Sequence, residues 1–394
     1  MKSNGLRRTL RVAFVESTTE LGGAQIALLS MLEHFDRRWI DPLFVSLGFG
    51  NGDFPDRVEK LNIPVARLMP GRFRQLASSG RKVRELVQVI RSHHVDVVVS
   101  NSGHPLLFAR PASLLCRRPC VWWVHGHFAH EAIQGRAIAH VERWLGADAF
   151  LANSASTAKA LRADFPWAAI RNVHCGIDLQ RHAPHPQNGA QARDTLGIAP
   201  EDVVIGIFGR LQPWKGQDIF LRAAHVLQAR NRQCRFLVVG GSVFGLDISY
   251  AEQLRMLANE LGLSQPVRFL GQRSDVPQLM NACDIVVHAT REPEPWGLVV
   301  AEAMATGCCV VASAAGGPLE MIQHGINGLL CPPGDHRALA RSLESLILQP
   351  ELRRDLGKQA RAHAEQHFAI EDAAYRFTVE LHRACDTYVA RGLA

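Results

Sequence analysis

The sequence predicts an α/β protein built from two Rossmann-like domains, each a doubly wound parallel sheet covered by helices. Three observations carry that expectation. Short β-branched runs alternate with amphipathic helical segments along nearly the whole chain, which is the pattern of successive βαβ units. The chain has 394 residues, too many for one comfortable hydrophobic core. The alternation breaks once, at residues 181–189 (RHAPHPQNG), where two prolines, an Asn-Gly pair and no apolar periodicity read as a linker.

In the first half the strand candidates are 11–15, 42–47, 95–100, 120–124 and 149–152. Several are apolar throughout, as parallel strands buried on both faces are. Helical patterns at 24–35 and 81–93 lie between them. A second series starts at 203–208 and continues through 236–239, 267–270, 285–288 and 309–312. The expected division is therefore residues 1–183, residues 184–369 and a final helical segment, 370–394. In that segment Ala374, Phe377, Leu381 and Tyr388 recur near helical spacing and give it a face to bury. Tandem domains of this kind are expected to face each other across a cleft at the carboxyl ends of their strands, where such sheets bind ligands.

Composition excludes several classes of protein. A hydrophobic share of 47% with 21% charged residues is that of a globular chain without a disorder signature. The apolar stretch 12–15 near the N-terminus is too short for a signal peptide. No segment approaches the roughly 18 apolar residues of a membrane span, and the most apolar stretch, 298–315, is interrupted by Glu302 and Gly307. A soluble, cytoplasmic chain is expected. Nine cysteines at unrelated spacings argue for reduced, buried thiols over a disulfide framework. Neither Cys116 with Cys120 nor Cys308 with Cys309 has the companions of a zinc site.

The net charge of +7 is unevenly placed. Residues 1–185 hold 24 Lys or Arg against 15 Asp or Glu, a balance of +9, and the remainder holds 20 against 22, a balance of −2. The densest cations are Arg72, Arg74, Arg81, Lys82 and Arg84, with Arg117 and Arg118 further on. They read first as a solvated helix face, and second as a surface for an anionic membrane or a lipid-linked acceptor. Nucleic acid is not expected as a partner, because aromatic residues are not interleaved with these cations.

The chemistry concentrates at 292–317, EPEPWGLVVAEAMATGCCVVASAAGG. Glu294 and Glu302 are eight apart, the first in a loop shaped by Pro295, Trp296 and Gly297, the second within the following helix. Carboxylates there suit sugar and ribose hydroxyls, and a helix N-terminus offers free N–H groups to a phosphate. Upstream, in GRLQPWKG, Arg210 and Lys215 flank a loop in a way that suits a diphosphate.

The long stretch around Glu294 and Glu302 resembles the family 4 retaining glycosyltransferases of the GT-B fold, marked by a Glu, seven residues and a second Glu. Gly209-Arg210-Leu211 with Lys215-Gly216, Val239-Gly240-Gly241, Gly316-Gly317 with Glu320, and Gly325 through Gly328-Leu329-Leu330 to Pro333-Gly334-Asp335 extend the likeness. Gly22-Gly23-Ala24-Gln25, His125-Gly126 and Gly176-Ile177-Asp178 continue it in the first half.

The resemblance implies a retaining transfer of sugar from a nucleotide-diphosphate-sugar to a carbohydrate or lipid-linked acceptor. Lipopolysaccharide, exopolysaccharide or another glycoconjugate is the implied product, and peripheral contact with the inner face of an anionic membrane is an associated expectation. No cofactor and no metal are implied. Arg210 and Lys215 would stabilise the leaving diphosphate, Glu294 would contact donor-sugar hydroxyls, and Glu302 would bind the ribose. Gly22, Gly23, Gly209, Gly297, Leu298, Gly316 and Gly317 would lie against the donor. His125 would hydrogen-bond the donor sugar, with His127 and Glu131 as rivals. The final helix would cross back to the first domain. Two departures stand out: Cys175 where the family often has Asn, and Glu292 as a second carboxylate near the chosen one. A nucleotide-sugar epimerase or a phosphorylase on the same fold is the alternative.

Overall fold

The β-branched runs of the first half become parallel strands β1 (Leu10–Thr18), β2 (Ile40–Phe49), β3 (Val65–Arg67), β4 (Val97–Asn101), β5 (Cys120–Val124), β6 (Ala149–Ala152) and β7 (Ile170–Asn172). These come from a computed structural model that describes residues 6–68, 76–126, 144–228, 234–241 and 248–393. The seven strands form one sheet in the order β3-β2-β1-β4-β5-β6-β7. Winding therefore reverses between β1 and β4, which is where a sheet of this kind opens a crevice at its carboxyl end. Phe14, Trp122, Trp123 and Phe150 are fully buried in and around this sheet.

The chain divides into two units, residues 1–176 together with 370–394, and residues 177–369. The first division falls after Gly176, not after residue 183. The final helix, Ile370–Ala390, belongs to the first unit. Its Phe377 is fully buried and lies 4.9 Å from Trp123, 5.7 Å from Phe35 and 6.3 Å from Phe14 between ring centroids.

The second unit carries β8 (Val203–Phe208), β9 (Cys234–Val239), β10 (Val267–Gly271), β11 (Ile285–His288), β12 (Cys309–Ser313) and β13 (Leu329–Cys331). They form a parallel sheet in the order β10-β9-β8-β11-β12-β13. Here the winding reverses between β8 and β11.

Residues 181–189 are not a free linker. The helix Pro186–Thr195 begins inside that stretch, with Pro186 in its first turn, where the missing N–H costs nothing. Gly189, which the sequence reads as part of a linker, is instead a packing glycine. A Cβ there would lie 2.3 Å from the Asn281 carbonyl oxygen on the helix Val276–Ala282.

One surface expectation changes. Lys82 is 2% exposed and donates to the Leu47 carbonyl at 2.6 Å, so it is not part of a solvated cationic face. Arg81 pairs with Glu85 at 2.8 Å, Arg84 is exposed, and Arg72 and Arg74 lie outside the described residues. All nine cysteines are free thiols, seven of them buried. Among the described residues no helix is long and apolar enough to cross a membrane.

Candidate active site

In the second unit the loops that follow β8, β11 and β12 bring the predicted residues to one end of the sheet. Gly209 and Arg210 leave β8, and the short turn Pro213–Lys215 is closed by Gly216 in the left-handed region. A side chain on Gly216 would place its Cβ 1.9 Å from the Ala289 carbonyl oxygen. Glycine therefore lets the loop after β8 touch the loop after β11. Lys215 extends along the Trp214 ring, 3.9 Å from its centroid, and its Nζ reaches Glu294 Oε2 at 2.5 Å.

Glu294 is held from behind by the loop after β12. The Gly317 N–H donates to the Glu294 carbonyl at 2.7 Å, and residues 294 and 316 pair as an isolated parallel bridge. A Cβ on Gly316, whose φ is +76°, would meet that same carbonyl oxygen at 2.0 Å. Gly316 and Gly317 thus serve a purpose that the sequence does not announce: they bring their loop against the backbone of Glu294. Gly297 lies at the N-terminal boundary of the helix Leu298–Ala305, and Leu298 is its first residue.

The electrostatics of the pair follow from its burial. Desolvation would raise the Glu294 carboxyl, but the Lys215 ammonium and a hydrogen bond from His288 hold it well below the usual carboxylate range. The same burial lowers Lys215, opposed by Glu294 and reinforced by the charge of Arg210. His288, the last residue of β11, places its Nε2 3.1 Å from Glu294 Oε2. Glu302 lies elsewhere on its helix, half-buried, with Oε1 3.9 Å from His182 Nε2. Glu292 is exposed and Glu294 is buried.

In the first unit Gly22 and Gly23 open the helix Gly23–His34. The Gly22 N–H donates to Gln25 Oε1 at 3.0 Å, and Gln25 Nε2 donates to Glu16 Oε2 at 3.0 Å. Asn101, at the end of β4, donates from Nδ2 to the same oxygen at 2.7 Å. Its Oδ1 faces His125 Nε2 at 2.8 Å, just past β5. Burial pulls the His125 imidazole down to about 3, so the ring is neutral at physiological pH. His127 and Glu131 lie outside the described residues.

Four polar residues in these clusters escape a reading of the sequence: His288, Glu16, Gln25 and Asn101. The available signal was a single polar side chain ending an apolar run, as in IVVH for His288 and VAFVE for Glu16. Gln25 stands in the quoted GGAQ phrase without an assigned role.

Comparison with known proteins completes the description. The Glycosyltransferase Family 4 model matches residues 21–181, and the Glycosyl transferases group 1 model matches residues 190–363. A D-inositol 3-phosphate glycosyltransferase of Mycobacterium marinum is 30% identical over 407 aligned positions, covering 95% of this chain and 84% of that protein. Its namesake in Saccharomonospora viridis is 36% identical over 203 positions, so this chain spans about half of that relative, 46% of its length. The crystal structure of Anabaena HepE in complex with UDP and glucose superimposes with a TM-score of 0.83 at 30% identity, covering 94% of this chain and 99% of that one. The chain belongs to the family 4, or group 1, glycosyltransferases and has their GT-B fold.

Proposed function

We propose that the chain transfers a hexose, with retention and without a divalent cation, from a uridine-diphosphate sugar to a hydroxyl of an anionic acceptor. The observation that carries this reading is the cluster in the second unit. There Lys215 and Glu294 meet at 2.5 Å, with Arg210 close enough for its charge to act on Lys215. Two cations can stabilise the charge that develops on a departing diphosphate, a task that otherwise falls to a metal ion. Glu294, ionised, accepts hydrogen bonds from donor-sugar hydroxyls, and these strengthen as positive charge builds on the sugar. Glu302 binds the ribose. His125, in the first unit, hydrogen-bonds a sugar hydroxyl.

The uridine base is inferred from HepE, whose crystal structures hold UDP and UDP-glucose. The relatives named for D-inositol 3-phosphate favour a phosphorylated polyol as acceptor. The +9 balance of residues 1–185 suits such a group and equally a lipid-linked one. Exposed Leu114 and Leu115, 51% and 62% accessible, stand beside exposed Arg117 and Arg118. We include contact between this patch and an anionic membrane in the proposal.

The test begins with thermal shift against UDP-, GDP- and ADP-sugars. A ligand at a hundred times its Kd stabilises the native state by about 2.7 kcal/mol, so a true donor raises Tm clearly. UDP-glucose is expected to do so and to release UDP. A shift only with GDP- or ADP-sugars would reject the uridine donor. An epimerised sugar formed from donor alone would reject transfer in favour of an epimerase.

A further inference from the structure

The crevice at the carboxyl ends of β1, β4 and β5 holds a polar chain that runs from buried Glu16 and Asn101 to half-buried His125. Glu16 is 0% exposed and lies at the centre of hydrogen-bond donors. Its Oε1 accepts from the Ser17 N–H at 2.7 Å, the Thr18 N–H at 3.1 Å and the Ser17 hydroxyl at 3.3 Å. Its Oε2 accepts from Asn101 Nδ2 at 2.7 Å and Gln25 Nε2 at 3.0 Å. The two backbone N–H groups and the two amide nitrogens can only donate, which matches a carboxylate: burial raises the Glu16 carboxyl above its ordinary value, and these hydrogen bonds act against that rise.

That arrangement fixes the next residue. Asn101 Nδ2 faces two acceptors, Glu16 Oε2 and, at 3.4 Å, the Ala24 carbonyl oxygen. The amide therefore stands with Oδ1 towards the imidazole. An oxygen facing His125 Nε2 at 2.8 Å requires a proton on that nitrogen. Nδ1 is then left with its lone pair. The ring is also packed on Trp123, 4.2 Å between centroids, so its plane is set by two contacts.

We propose that Glu16 and Asn101 are positioning residues for His125, holding it as the Nε2-protonated tautomer so that Nδ1 accepts a hydrogen bond from a substrate hydroxyl. The assignment rests on the role given to His125 above. Nε2 is thus held by a neutral amide oxygen, not by a carboxylate.

Glu16→Gln tests the relay without touching the substrate. The new amide must turn an NH2 towards Asn101 or towards the Ser17 and Thr18 N–H groups. Relief at the first position flips Asn101, which then presents Nδ2 to the ring and drives the proton to Nδ1. Long-range 1H–15N spectra of the histidine side chains report the tautomer, with His125→Ala identifying the signal. UDP release from UDP-glucose, with water as acceptor, reports turnover. The expected result is an Nε2-protonated ring in the native chain and a changed tautomer in Glu16→Gln. Turnover should fall roughly 10- to 100-fold, the range for losing the orienting partner of a metal-bound histidine, with KM for UDP-glucose unchanged within about twofold. Asn101→Ala should lose kcat in the same way, and it decides the matter if Glu16→Gln does not fold. An Nδ1-protonated ring in the native chain overturns the proposal without any variant. A severe His125→Ala beside near-native Glu16→Gln and Asn101→Ala rejects the relay and leaves the histidine's role standing. A silent His125→Ala rejects that role itself.

Discussion

Glu292 and Glu294 are separated by one proline, and their surroundings differ in every respect that matters for catalysis. Glu292 is exposed, whereas Glu294 is buried against Lys215 and His288. Glu294→Gln keeps the size and loses the charge, so kcat should drop by about 10² or more, as for losing one charge-stabilising group. Glu292→Gln should leave kcat near native, and Glu302→Gln should mainly raise KM. Kinetics on the three variants check this, and a severe Glu292→Gln with a silent Glu294→Gln would displace the site. Gly316→Ala is the backbone counterpart. With φ at +76° and the Glu294 carbonyl 2.0 Å from the new Cβ, it should cost at least about 1–3 kcal/mol of stability in denaturant melts. His125 adds a pH signature. The unfolded ring takes a proton near 6.5 and the folded ring resists until about 3. Stability is therefore whole above 6.5 and is lost as pH falls from there towards 3; His125→Gln should flatten that part of the curve. Glu294 and Lys215 were legible because each sits in a phrase with glycine and aromatic neighbours that fixes its loop. Glu16 and Asn101 were not, because 85 residues separate them and only the sheet brings β1 beside β4.

Elements in the middle of each sheet were legible, and at the rim only β10 was. Apolar runs such as 120–124 and 285–288 announce strands covered on both faces, and they fold with those limits. β3, β7 and β13 have three residues each and lie at sheet edges. A strand that short carries no periodicity to read, which is also how an edge avoids pairing with another chain. The helix Pro186–Thr195 was hidden by its own composition, since proline and Asn-Gly signal a turn unless a neighbour packs onto the glycine. The final helix makes the clearest prediction at this scale. Phe377 is fully enclosed by Phe14, Phe35 and Trp123. Phe377→Ala should destabilise the first unit by about 3–5 kcal/mol, the usual cost of an emptied aromatic site. Chemical denaturation followed by tryptophan fluorescence checks it, and a loss below about 1 kcal/mol would mean the helix is not part of that core.

For the whole molecule, the uneven charge predicts where it meets other surfaces. Flotation with anionic vesicles should show binding that weakens with salt, because exposed charges are screened beyond about 8–10 Å at physiological ionic strength. Replacing Leu114 and Leu115 with serine should weaken binding further, and equal partition to neutral vesicles would count against the patch. Turnover should survive EDTA; loss restored by magnesium or manganese would overturn the metal-free reading. The return of the last helix to the first unit also sets an order of events during synthesis. Residues 177–369 are made between the two parts of the first unit. At roughly 5–20 residues per second, that interval lasts about 10–40 s. Throughout it Phe14, Phe35 and Trp123 wait on the ribosome without Phe377, and by its end every strand of the later-made unit has been synthesised. The half begun first is thus completed last. Chains ending at residue 369 and released from the ribosome should be cut by a brief protease pulse in the first unit and resist it in the second.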